Sequence, residues 1–448
     1  MVTMNHSSYI MRWRHAATSR ARSGVGSRVG FNGLDVQGRP ATGAQVQMGS
    51  WFRGDVGRAR AAVVAYFVLA GFAFSAWAVR IPDVKNALGL DDATLGLTLL
   101  GTAAGSVVSM SASGWTIARF GSQRMTTTAA LLACATLALP ALAPSPPLLF
   151  AALFVFGAAY GTLDVAMNAQ AAAVEERWGS PIMSSFHGTF SVGALAGSFL
   201  AAVIAGHGVP PGLHLLGTGM VLAVLALAAT RFLVTSASES ADDGPAFALP
   251  IGPLASLGVL AFGVLLAEGA VADWGAVYLR DVLGATAAAG GLGYTAFSLT
   301  MAGGRFAGDG LVQRLGPVWI VRGGGLLVAL GLGIVLLGGS VPLALAGFAC
   351  VGAGLAATFP VLISAAGRTP GVPTGTAIAA VATAGYTGFL AGPPAIGLVS
   401  SAFGGLQAGL GVVALVGVAV ALLAGRIQVA PAASVTKASP VAEAVMDL

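Results

Sequence analysis

In the segment 157–191 an acid (Asp164), an amide (Asn168) and a histidine (His187) interrupt a long apolar run. Tyr160, Asp164 and Asn168 are spaced i, i+4, i+8, so on a helix they form one polar stripe along an apolar cylinder. A carboxyl in such a stripe suits proton exchange, and the amide suits hydrogen bonding to a hydroxylated ligand. A second acid, Glu268, lies mid-way along another apolar run, LLAEGAVADW. Asp273 follows five residues later, about 140° around a helix, and so points to a different face. Its expected role is a pairing with Arg280 or Arg80 in an outer gate or a solvated rim.

These polar residues are held by a chain that is otherwise oily. Of its 448 residues 56% are hydrophobic and 9% charged, with a mean hydropathy of +0.85, the composition of an integral membrane protein whose first partner is the lipid bilayer. Cys134 and Cys350 both sit in apolar runs and suggest neither a disulfide framework nor a metal site. The net charge of +5 does not mark a nucleic-acid partner, because the basic residues gather at the ends of apolar runs.

Residues 1–59 hold eight arginines against two acids with no sustained apolar periodicity, and read as a disordered cytoplasmic tail. Either that tail is native or translation begins at Met48. From residue 60 onward, apolar runs of a length that crosses about 30 Å of hydrocarbon are expected at 60–79, 93–113, 126–143, 147–173, 182–206, 212–234, 253–279, 287–307, 317–338, 341–366, 373–400 and 403–425. Turns are expected at Ile81-Pro82-Asp83, Pro144 to Pro147, Pro210-Pro211-Gly212 and Thr369-Pro370-Gly371, and Asp91 or Asp92 as the cap of the second run. The fold class is therefore all-α integral membrane, with twelve transmembrane helices in two six-helix bundles. The expected units are 60–234 and 253–425, joined by a Ser-, Asp- and Pro-rich linker at 235–252 and followed by a tail at 426–448. With both termini cytoplasmic, the inner loops collect Arg119, Arg124, Arg177, Arg231, Arg314, Arg322, Arg368 and Arg426, and the outer loops keep only Arg80, Lys85 and Arg280.

An internal repeat supports the division. Arg119-Phe120-Gly121 recurs as Arg314-Leu315-Gly316, and Gly157-Ala158 as Gly352-Ala353, each 195 residues later. Trp77 and Trp274 are 197 apart, and Asp83 and Asp281 are 198 apart. Two parallel halves imply a binding site between them.

The loop Gly114-Trp115-Thr116-Ile117-Ala118-Arg119-Phe120-Gly121-Ser122-Gln123-Arg124 resembles the signature of the major facilitator superfamily between spans two and three. Its second-half counterpart is Gly304-Arg305-Phe306-Ala307-Gly308-Asp309, running into Arg314-Leu315-Gly316. Ala118 stands where the family carries an Asp, which leaves Asp309 with the cytoplasmic arginines to lock the second half. The runs LDVAMNAQAAAVEERWGSPIMSSFHGTFSVGALAGS and LLAEGAVADWGAVYLRDV are similar to a bacterial branch related to fucose-type sugar permeases. That resemblance implies a multi-pass transporter of the bacterial inner membrane, with the span-four acid, here Asp164, in proton coupling. The gating candidates are the loop residues Gly114, Arg119, Gly121, Arg124, Arg305, Asp309 and Arg314, together with Asp273 from its place near the outer end of its run.

A carboxylate at mid-bilayer costs about 2.5–3.5 kcal/mol on insertion scales, so Asp164 and Glu268 are read as coupling groups or as protonated acids bonded to a neighbouring helix. His187 is read as a proton relay or a packing histidine. Arg305 is expected to snorkel or to pair with Asp309. Tyr66, Tyr160, Tyr294, Tyr386 and Asn168 are candidates for binding solute, with packing as the alternative for each. No Gly-Lys-Ser/Thr loop, nucleophile elbow or paired metal ligands are present in the sequence, which argues against an enzyme and calls for no cofactor and no metal. The expected partners are a small polar solute and protons, and the simplest assembly is a monomer. The functional expectation is a proton-coupled secondary transporter. A proton antiporter exporting amphipathic or cationic compounds is the alternative within transport, and a non-transporting receptor or scaffold the alternative outside it.

Overall fold

A computed structural model describes residues 54–180, 182–235 and 248–427, apart from the Asp309 side chain. The expected N-terminal tail to residue 53, most of the linker and the tail beyond 427 lie outside the described residues.

The described residues fold into twelve long helical segments. The first half holds α1 (Asp55–Leu88), α2 (Asp92–Phe120), α3 (Ser122–Thr136, extended by Leu139–Leu142), α4 (Pro146–Trp178), α5 (Met183–Gly206) and α6 (Pro211–Thr230). The second holds α7 (Ala255–Val277, ending in a wider turn at Tyr278–Val282), α8 (Ala287–Leu315), α9 (Pro317–Leu337), α10 (Val341–Leu355, resumed as Thr358–Ala366), α11 (Thr374–Ala402) and α12 (Leu406–Leu423). Ten of them are long and apolar enough to cross a membrane. The other two, α8 and α11, are 29 residues each but are diluted by Gly, Ser and Thr.

One expectation about turns needs correction. Ile81-Pro82-Asp83 is not a turn, because α1 runs through Pro82 to Leu88. A proline removes a single helical bond, here the one to the Ala78 carbonyl, and the helix carries on until Gly89 takes a left-handed conformation (φ 61). Likewise Pro393 and Pro394 lie inside a continuous α11. In α10 the helix does break, at Ala356 and Ala357; the carbonyl of Ala356 is the one that Pro360 leaves unbonded. Asp91 caps α2, accepting the Thr94 amide at 2.7 Å, and this bonding holds its carboxyl below the usual carboxylate range.

The 195-residue repeat reappears as packing. The α2–α3 connection is the single residue Gly121 (φ 84) and the α8–α9 connection the single residue Gly316 (φ 81), a conformation that side chains resist. A Cβ on Gly157 would lie 2.0 Å from the Thr102 carbonyl, and one on Gly352 would lie 2.2 Å from that of Phe297, 195 residues on in both cases. Gly193 meets Val68 as Gly388 meets Phe262. So α4 seats on α2 as α10 seats on α8, and α5 on α1 as α11 on α7.

The halves meet along α2–α11 and α5–α8. We call the end carrying the central linker the linker end and the other the distal end. Near the distal end, Gly96 abuts the Pro393 carbonyl and Gly397 that of Asp92, while the Ala93 amide donates to Ser401 Oγ at 3.1 Å. Toward the linker end one face of α2 is uncovered, with Trp115 67% exposed and open space where a Cβ on Gly114 would stand, while Ile117 still packs against Val165 and Ala166 of α4.

Candidate functional site

Halfway along the bundle, Arg305 of α8 reaches across the junction between the halves. Its guanidinium donates to Ser191 Oγ at 2.8 Å and to the His187 carbonyl at 3.4 Å, both on α5. It also approaches Glu268 of α7 at 3.8 Å. Glu268 and Arg305 each keep about a fifth of their side-chain surface exposed (23% and 21%), so the pair lines a partly open space. Arg305 reaches inward rather than snorkelling, because a guanidinium this deep needs a countercharge and acceptors. The side chain of Asp309, its other expected partner, lies outside the described residues.

Aromatic side chains surround the pair. Phe74 of α1 is the hub, with ring centroids 5.8 Å from Tyr160, 6.4 Å from Tyr294 and 6.5 Å from Phe389. Tyr386 of α11 lies within electrostatic range of both Asp164 and Glu268, and Tyr160 within range of Asp164, Tyr294 and Tyr386. Asp164, Glu268, Tyr160, Tyr294 and Tyr386 therefore converge from four helices, α4, α7, α8 and α11. Tyr160 donates to the Ala70 carbonyl at 3.2 Å. Asn168 is buried and donates back to the Asp164 carbonyl at 2.8 Å and to its Oδ1 at 3.3 Å, so its NH2 group orients the acid. His187 sets its ring edge-on to Phe67, 5.3 Å between centroids.

Tyr66 is a correction. It is fully buried, and its hydroxyl is tied to the Ala226 carbonyl and Thr230 Oγ1, both at 2.9 Å. It fastens α1 to α6 and does not line the central space. Asp273 is another: neither Arg80 nor Arg280 pairs with it, because both bind Asp83.

That binding belongs to a charge clasp at the distal end. Arg80, 2% exposed, donates to Asp83 at 2.8 Å, to the Val209 carbonyl at 3.0 Å and to His214 Nδ1 at 3.1 Å. Asp83 also pairs with Arg280 of the other half. Lys85 sits between Asp92 and Asp281, 2.7 Å from each. Two ion pairs thus join the halves, Asp83 to Arg280 and Lys85 to Asp281. The sequence reading used these residues to count loop charges and mark the repeat; the signal it missed was that both repeat acids lie beside a base. At the linker end, Arg119, Arg124 and Arg314 are exposed and form no ion pair among the described residues, and Gly121 is the turn described above.

The chain is 38% identical over 349 residues to an uncharacterized MFS-type transporter of Yersinia pestis, covering 78% of this chain and 90% of that one. The chain belongs to the major facilitator superfamily. The family model, Major Facilitator Superfamily, matches residues 62–277. A second relative, the membrane protein MosC of Rhizobium meliloti, is 38% identical over 366 residues, covering 80% of this chain and 88% of that one. Among solved structures, the nucleoside transporter NupG superposes with a TM-score of 0.61 at 12% identity, over 82% of this chain and 100% of that one. The E. coli fucose:proton symporter FucP does so with 0.57 at 17% identity, over 82% and 98%. The fold is thus the major facilitator fold, and the chain is a multi-pass membrane transporter, not an enzyme.

Proposed function

We propose that this transporter moves a small, neutral, polar solute across the bacterial inner membrane by alternating access, coupled to protons. All twelve helices cross, both termini are cytoplasmic, and the functional units are 60–234 and 253–425. The linker end is then the cytoplasmic end, and the conformation described above is closed outside and open inside. The observation that carries this reading is the Arg305 junction: one guanidinium bonded to α5 of the first half and paired with Glu268 of the second, beside tyrosines contributed by both halves. A solute whose hydroxyls replace the bonds of Ser191 or Tyr160, or meet the Tyr386 hydroxyl, draws the halves together. An arginine already paired with a carboxylate gives no free charge to an anion, which favours a neutral cargo. Asp164 and Glu268 are the coupling carboxyls of this reading, with His187 on the cytoplasmic side of the junction.

The test is proton movement in proteoliposomes holding a pH-sensitive dye, challenged with sugars, polyols and cationic compounds. Alkalinisation of the source compartment with one hydroxylated solute, absent in Asp164→Asn, is the expected result. Proton release against a cation instead makes the protein an exporter. Solute binding without flux makes it a receptor, and overturns the proposal.

A further inference from the structure

Asp273 is the one intramembrane carboxyl that the site described above leaves without a role. It lies on α7 between the Glu268–Arg305 pair and the distal clasp: five residues, about 7.5 Å of helix rise, from Glu268, and seven residues, about 10 Å, from Arg280. It is 9% exposed, and among the described residues it makes no hydrogen bond and no ion pair. Beside it the fully buried Trp274 Nε1 also finds no acceptor. A carboxyl that is nine-tenths buried and without a hydrogen-bond or ion-pair partner among the described residues therefore lies directly beneath a clasp that joins the halves.

The elements packed around α7 contain no base to compensate Asp273. Tyr294 of α8 is in electrostatic range of Asp273, of Glu268 and of Arg305. On α11 the one titratable residue is Tyr386, and on α10 it is Cys350; α12 has none. Arg80, Asp83 and Lys85 of α1 are taken up by the clasp, and Arg305 by Glu268 and Ser191. The two acids of α7 thus differ in kind. Glu268 has an arginine that balances its negative charge, whereas a bare carboxylate at Asp273 would be an uncompensated ion in a low-dielectric interior, costing several kcal/mol. The neutral acid has no such penalty.

We propose that Asp273 is a proton-carrying residue of the transport cycle: it is held as the neutral acid while the distal clasp is shut, and it loses its proton to water on the distal side when the clasp opens. The step leaves a carboxylate on Asp273 and a proton in the distal solution; return of a proton to that carboxylate is the condition for the clasp to close over it again. This inference rests on the transporter reading above and adds to its coupling carboxyls a proton carrier outside the solute site.

The test uses the full-length protein in lipid vesicles and begins with a readout that needs no solute. The infrared difference spectrum between wild type and Asp273→Asn near neutral pH is expected to contain a carboxylic-acid carbonyl band, and Asp273→Glu is expected to restore that band at a shifted frequency. A carboxylate band in its place overturns the proposal. In the same vesicles, with thermal unfolding confirming that the variant is folded, Asp273→Asn is expected to lose proton-driven accumulation of solute while keeping solute exchange at equal pH. Accumulation at the wild-type level overturns the carrier role. If the wild type itself moves no solute, the transporter reading falls, whereas the infrared result still decides the protonation of Asp273.

Discussion

Arginine 305 holds the centre of the molecule because a guanidinium offers five donors in a plane, and this one is given two acceptors on α5, a serine hydroxyl and a backbone carbonyl, and a countercharge 3.8 Å away on α7. Glu268→Gln removes the charge that balances it. With the pair about a fifth exposed, the loss is expected to be about 1–2 kcal/mol, below the 3–5 kcal/mol of a fully buried pair. Solute exchange in vesicles is expected to fall at least tenfold, and Ser191→Ala to lower it less. Wild-type exchange in Glu268→Gln would remove the pair from the site. Tyr66 gives the opposite expectation. Its hydroxyl is buried in the α1–α6 contact, so Tyr66→Phe is expected to cost about 1 kcal/mol of stability, read as a lower thermal midpoint, with solute affinity unchanged.

The helices are spaced by glycines, and their environments separate structural positions from mobile ones. A Cβ on Gly193 would stand 2.1 Å from the Val68 carbonyl, and backbone atoms cannot yield without moving α1 from α5. Gly193→Val and its repeat partner Gly388→Val are both expected to lower the yield of folded protein, measured by size-exclusion profile and thermal midpoint. Gly114 belongs to the loop signature but faces open space. Gly114→Ala is therefore expected to fold normally and to gain about 0.5–1 kcal/mol from helix propensity, and Gly114→Leu to fold yet slow transport if the linker end must close over it. At this scale the sequence was most informative. The lengths of the apolar runs marked the helices, and the 195-residue offset anticipated that Gly157 and Gly352 would occupy equivalent contacts. Helix ends were less legible: Pro82 reads as a stop, but whether a proline ends a helix depends on what the following turn packs against, and here Arg80 and Lys85 find partners that keep it helical. Side-chain partners across the halves were not legible. Nothing local to Arg305 points to Glu268, 37 positions earlier, or to Ser191 on a helix of the other half, and Tyr66 looks like any cavity tyrosine until α6 is placed against it.

The state of the whole molecule is set by the balance between its two ends. At the distal end the halves are joined by Asp83 to Arg280 and Lys85 to Asp281 and by the α2–α11 contact at Gly96 and Gly397, with Arg80 almost fully buried behind them. At the linker end Arg119, Arg124 and Arg314 are exposed. A ligand or mutation shifts such an equilibrium only by its differential effect on the two states, so the clasp is the place where a small change has a large and directional effect. Asp83→Asn removes the acid shared by Arg80 and Arg280 and leaves Arg80 buried with only a carbonyl and an imidazole as acceptors. Asp83 and Arg280 keep 16% and 21% of their side-chain surface exposed, so truncating the pair costs about 1–2 kcal/mol, which at 1.4 kcal/mol per decade changes the ratio of closed to open distal ends by about tenfold. The expected result is thiol labelling from the distal side at Ser298→Cys, a position 2% exposed here, in a background with Cys134 and Cys350 replaced by alanine. Labelling is expected to be slow with Asp83 intact and much faster in Asp83→Asn, and to slow again when a solute that favours the distal-closed state is added. Equal rates with and without Asp83 would mean that the apolar α2–α11 contact alone keeps the distal end shut and that the ion pairs serve only to set its register.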